Sequence, residues 1–115
     1  MIEVSTLRGS NNTIKYEKGE LGYNVIWGKT PFCIESRDIN DILNNFFVNQ
    51  NEWYPMAPGM IDPKPGGLGE FVEGNISKLH SKHASAIAAI MVHEGFLERK
   101  NIGTAIYLRK ITDKI

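Results

Sequence analysis

The densest chemistry in the chain lies between positions 77 and 85. Ser77, Lys78, His80, Ser81, Lys82, His83 and Ser85 crowd donors and cations into nine positions. They lead into Ala84, Ile87, Ala88 and Met91, whose i, i+3, i+4, i+7 spacing predicts a helix. A helix start exposes N–H groups and partial positive charge, which favour a phosphate oxygen. Lys78 and Lys82 would add charge there, and the serines would add donors. Arg99, Lys100 and Lys110 supply three more cations further along. The plainer alternative is a solvated helix start with ordinary capping.

Other chemistries find less support. His80, His83 and His93 beside Glu94 raise the question of a metal. His93 lies roughly 15 Å from His83 along a helix axis, so one helix cannot bring all three to one ion. A closed zinc site takes four ligands, and the single cysteine, Cys33, lies in another segment. Cys33 sits between Phe32 and Ile34 and reads as a core thiol with no activating partner. Glu70 with Glu73, and Glu94 with Glu98, read as surface charges rather than an acid–base pair. Pro65-Gly66-Gly67-Leu68-Gly69 lacks the Gly-Lys-Ser/Thr ending of a phosphate loop and reads as a helix entry. No metal, no cofactor and no enzymatic activity are expected.

Trp53, Tyr54, Met56, Met60 and Ile61 form a second candidate surface, on a loop rich in proline and glycine over 52–67. Proline and glycine exclude a regular helix there. Methionine and aromatic side chains are favoured at protein interfaces. The alternative is that they cap the core.

The elements that must position these residues follow from periodicity. Ile2 and Val4, Ile14 and Tyr16, Tyr23, Val25 and Trp27, and Phe32 to Ile34 alternate with polar residues between turn clusters. They predict an antiparallel β-meander over residues 1–35. Ser36 or Asp38 is the expected cap of a first helix. Its stripe is Ile39, Ile42, Leu43, Phe46 and Phe47, and it ends near residues 49–51. Trp53–Met56 suits a short extended piece. A second helix is expected over about 68–75. A third begins at the Ser81 cap and stops at Gly95. The stretch 96–100, a turn at 101–103 and the stretch 104–110 then predict a hairpin, with Ile106 and Leu108 on one face and Ala105, Tyr107 and Arg109 on the other.

Composition sets bounds. The 115 residues carry zero net charge, but unevenly. Residues 1–75 hold six Lys/Arg and ten Asp/Glu, and residues 76–115 hold seven and three, so the halves carry minus four and plus four. Such asymmetry suits a C-terminal part that meets a polyanion. The lone cysteine and the lack of a signal-like N-terminus or a spanning apolar run predict a cytoplasmic protein with no membrane association.

Helix, short turn, alanine-rich helix, glycine stop and hairpin is an order that resembles the winged helix-turn-helix family. Three segments carry the resemblance: 81–92, 93–100 and 103–108. It covers about residues 68–110, and about 39–110 if the first helix and the Trp53–Met56 strand take part. Two departures stand out: the loop before the second helix is long, and the third helix has no Arg, Asn or Gln between Ser81 and Glu94 to read base edges. The expected fold is therefore α+β: an N-terminal β-meander (1–35) packed with a winged helix-turn-helix-like unit (36–115) of three helices and a C-terminal β-hairpin, in one compact domain. The resemblance implies a DNA-binding protein, such as a transcriptional regulator, that contacts mainly the backbone of double-stranded DNA. The contact residues would be Lys78, His80, Ser81, Lys82, His83, Ser85, Arg99, Lys100 and Lys110. The meander would serve as an accessory or homodimer layer. The alternative is a protein-binding regulator or inhibitor, of the kind carried by phage or mobile elements, acting through Trp53, Tyr54, Met56, Met60 and Ile61.

Overall fold

A computed structural model of the chain describes residues 2–7, 13–56, 67–76, 79–103 and 105–112. The fold is α+β, with two antiparallel sheets and three helices among the described residues. Strands β1 (Ile2–Ser5), β2 (Thr13–Lys18), β3 (Gly22–Trp27) and β4 (Thr30–Glu35) form a meander in the order β1-β2-β3-β4. Its register pairs Tyr16 with Val25 and Tyr23 with Ile34, so the alternating apolar residues share one buried face. Gly22 lets the sheet close: a Cβ there would stand 2.2 Å from the Ile34 carbonyl oxygen.

Helix α1 (Ser36–Asp41) starts at the first expected cap, so its N-cap lies one residue earlier. Glu35, not Ser36 or Asp38, is the N-cap, and its own N–H donates to Asp38 Oδ2 at 3.3 Å. This reciprocal arrangement satisfies exposed helix-start donors from both ends. The helix then widens into a π-helical turn (Ile42–Phe46), closed by Phe47 N–H donating to the Ile42 carbonyl at 3.0 Å. The turn sets Phe46 and Phe47 in contact, 4.8 Å between ring centroids, with Tyr54 5.4 and 5.5 Å away. That aromatic cluster anchors strand β5 (Tyr54–Pro55), which pairs with the last strand.

Helix α2 (Leu68–Asn75) falls where periodicity puts it, and Leu68 and Val72 are buried. Helix α3 (His83–His93) starts two residues beyond its expected cap; Lys82 holds the N-cap position. Its Ala84, Ala86, Ile87, Ala88, Ala89, Ile90 and Met91 are all buried. A helix apolar on every side is a core helix. It packs against α2, β1 and strand β6 (Leu97–Ile102). Strand β7 (Ala105–Lys110) lies between β5 and β6 in a three-stranded sheet. Leu97, Ile106 and Leu108 turn inward and join one hydrophobic core shared with the meander. Among the described residues no helix is long and apolar enough to cross a membrane.

The end of α3 is set by its sequence. Gly95 adopts φ +85°, Phe96 N–H donates to the Met91 carbonyl at 2.9 Å and Gly95 N–H to Val92 at 3.1 Å. These paired bonds satisfy the last helical carbonyls and require a left-handed residue that glycine adopts without penalty. Gly95→Ala should therefore cost about 1–2 kcal/mol, and Gly95→Asn less, read as the urea midpoint. An unchanged midpoint for Gly95→Ala would contradict this account of the helix stop.

Candidate functional site

The meander lies along α3 and grips it at both ends. At the start, the His83 ring packs edge-on to Phe32 with centroids 4.8 Å apart and stands 6.2 Å from Trp27. His83 Nδ1 accepts the His80 N–H at 2.9 Å, and the two imidazoles stack. Burial lowers the His83 pKa, opposed by its bond to the His80 backbone. The ring is thus held neutral, as desolvation penalises the charged form. Trp27 Nε1 is buried beside it, the only such side-chain donor without a partner among the described residues.

At the other end, Tyr16 Oη donates to Glu94 Oε2 at 2.7 Å and Tyr23 Oη to Glu94 Oε1 at 3.2 Å. Tyr16 Oη also lies 2.9 Å from His93 Nδ1. A phenol has one proton to give, and here it goes to Glu94. His93 must therefore donate its Nδ1–H to the Tyr16 oxygen, which fixes the imidazole tautomer. One carboxylate so ties strands β2 and β3 to the helix end. Burial, with Glu94 reinforcing it, raises both tyrosine pKa values, Tyr23 to about 12 and Tyr16 further. Both rings are fully buried, so this cluster holds the layers together and presents no phenol to a substrate.

These contacts sort the residues singled out by sequence. Three of the proposed backbone contacts are buried: Ser81, His83 and Lys110. Ser81 N–H donates to Glu73 Oε1 at 3.3 Å. Lys110 Nζ donates to the Leu43 carbonyl at 3.1 Å, beneath the π-helical turn. It shares the inward face of β7 with Ile106 and Leu108. None of these three side chains is presented to a phosphate as the chain is folded, and a neutral His83 lacks the charge as well. His80, Lys82, Arg99 and Lys100 are exposed and Ser85 half-buried. Arg99 is partly committed, donating to the Leu7 carbonyl at 3.0 Å and Asn101 Oδ1 at 3.3 Å. Lys78 lies outside the described residues.

In the second candidate set, Met56 is fully buried and is a core residue rather than a contact. Tyr54 is half-buried against Phe46 and Phe47. Its hydroxyl accepts the Asn49 N–H and donates to Glu52. Met60 and Ile61 lie outside the described residues. Trp53 differs: Lys100 Nζ and Arg109 Cζ each stand 4.5 Å from its ring centroid. Such cation–π contacts contribute about 0.5–1 kcal/mol at exposed positions.

The structure thus joins one residue from each candidate set on one surface. Register puts Glu98 opposite Arg109, Lys100 opposite Tyr107 and Pro55 beside Tyr107. All of these turn away from the core face that carries Leu97, Ile106 and Leu108. The outer face of the three-stranded sheet therefore bears Trp53, Lys100, Tyr107 and Arg109, with Ile102 58 % exposed near the turn. Glu98 pairs with Arg109 and is the acid of this patch. Sequence reasoning missed Arg109 and Tyr107 as site residues. The two-residue alternation of β7 that separates them from Ile106 and Leu108 was the available signal. The chain matches no protein-family model, no curated protein and no solved structure.

The tyrosine pair makes a pH prediction. A phenol whose folded pKa is raised above its unfolded value near 10 contributes stability below pH 10 and loses it as pH rises toward the folded value. Stability should therefore fall above about pH 10, and Tyr16→Phe/Tyr23→Phe should flatten that fall while lowering stability at pH 7. Urea unfolding at pH 7, 9 and 10.5 reads both effects. An alkaline decline as steep in the double variant as in the parent chain would contradict the assignment.

Proposed function

We propose that this protein binds nucleic acid without catalysing a reaction, and that the outer face of the β5-β7-β6 sheet makes the contact. The observation that carries the reading is the pair of cations, Lys100 and Arg109, each 4.5 Å from the Trp53 ring on that face. Cations near an aromatic surface combine attraction for phosphate with a platform for bases. Lys100 and Arg109 belong to residues 76–115, the part of the chain that carries plus four. On this reading α2, α3 and the β6–β7 hairpin form a variant winged helix-turn-helix in which the wing binds. The third helix, enclosed on its meander side, would not enter a groove. Lys82 and Arg99 would add peripheral charge. A cytoplasmic regulator is the setting that suits such a module.

Binding of labelled oligonucleotides, duplex and single-stranded, tests this. Affinity should fall steeply with salt, because each phosphate contact releases counterions. Lys100→Gln should weaken binding and reduce the salt slope by about one. Arg109→Gln should weaken it further. Absence of binding to either form at tens of micromolar protein in low salt would contradict the proposal.

One observation favours a second reading, a protein partner on the same face. Tryptophan, tyrosine and arginine dominate interface hot spots, and Trp53, Tyr107 and Arg109 share this surface beside exposed Ile102.

A further inference from the structure

We infer that the nucleic acid this face takes is a single strand, with a base stacked on Trp53; the inference rests on the nucleic-acid reading above. Duplex recognition by a helix-turn-helix needs a helix free to enter the major groove. Here the meander holds α3 through Phe32 and Trp27 at His83, and through Tyr16 and Tyr23 at His93 and Glu94. What is left open is a sheet face on which Trp53 and Tyr107 are half-buried, and sheets that present aromatics recognise unstacked bases.

The two cations over Trp53 are not equivalent. Arg109 is held by Glu98 through Nε and a terminal nitrogen, which fixes the guanidinium plane. Among the described residues the Lys100 ammonium makes no hydrogen bond or ion pair, and it stands over the Trp53 ring. Its ammonium is a point charge on a flexible stem. An arriving base can therefore displace Lys100 from the indole while the ammonium swings to the adjoining phosphate. Arg109 stays in place and offers a second stacking plane. Tyr107, opposite Lys100 in the register, stands on the same face for a neighbouring base. The charge supports this occupant: two cations and one acid leave the patch positive, complementary to a phosphate chain.

The test compares a labelled 12-nucleotide oligothymidylate with a 12-base-pair duplex at equal low salt, by fluorescence anisotropy. The single strand should bind at least tenfold more tightly. Trp53→Leu should lose about tenfold or more of that affinity, the scale of one base–aromatic stack, and weaken single-strand binding more than duplex binding. Trp53→Phe should restore part of the loss, and circular dichroism confirms that each variant is folded. Equal or tighter binding to the duplex, or single-strand binding indifferent to Trp53→Leu in a folded variant, would overturn the single-strand inference and leave the nucleic-acid reading standing. Binding to neither ligand would overturn both.

Discussion

Everything in this molecule depends on where α3 is held, and Glu94 does much of the holding. Its carboxylate accepts the phenols of Tyr16 and Tyr23 from two adjacent strands. Charge-assisted bonds of this kind contribute about 1.5–3 kcal/mol each. The carboxylate is placed by the helix end itself. Glu94 is the C-cap of α3, and the turn through Gly95 fixes it beside the sheet. At the opposite end the neutral His83 ring packs against Phe32 rather than facing water. The helix is thereby pinned at both ends under the meander, with alanines along the middle allowing close approach.

Pinning α3 relocates the accessible chemistry. The polar cluster before the helix is partly drawn into the interior, through Ser81 and His83. Lys110 is drawn in as well and bonds the Leu43 carbonyl where the π-helical turn has widened. In the polar cluster Lys82 keeps its access to solvent, and Arg99, Lys100 and Arg109 keep theirs elsewhere, on β6 and β7. Tyr54, half-buried against Phe46 and Phe47, anchors β5 so that its neighbour Trp53 projects to the other face. The aromatic cluster inside and the cation–aromatic patch outside are two faces of the same short strand pairing.

Much of this was readable from residue order. Two-residue alternation gave the meander and its inward face. The stripe from Ile39 to Phe47 gave the first helix, and Gly95 gave the end of α3. The same alternation carried a signal about Lys110, in phase with Ile106 and Leu108. Seven of the eight residues from Ala84 to Met91 are apolar, which already marks a helix without a free polar face. Caps were less legible: Glu35 replaces Ser36 and Asp38 because Asp38 answers it reciprocally, and Lys82 rather than Ser81 precedes α3. The bonds from Glu94 to Tyr16 and Tyr23 span more than seventy residues. No local pattern encodes them. The meeting of Trp53 with Lys100 and Arg109 likewise depends on β5 pairing with a strand some fifty positions away.

Native-state amide hydrogen exchange tests the central claim, that meander and α3 form one cooperative layer. The amides of Ala88 to Met91 and those of β2 and β3 should exchange only through global unfolding, with a common opening free energy equal to that of denaturation. Exchange of the α3 amides at a much lower free energy, while β2 and β3 stay protected, would mean that the sheet lifts from the helix, and would contradict the account.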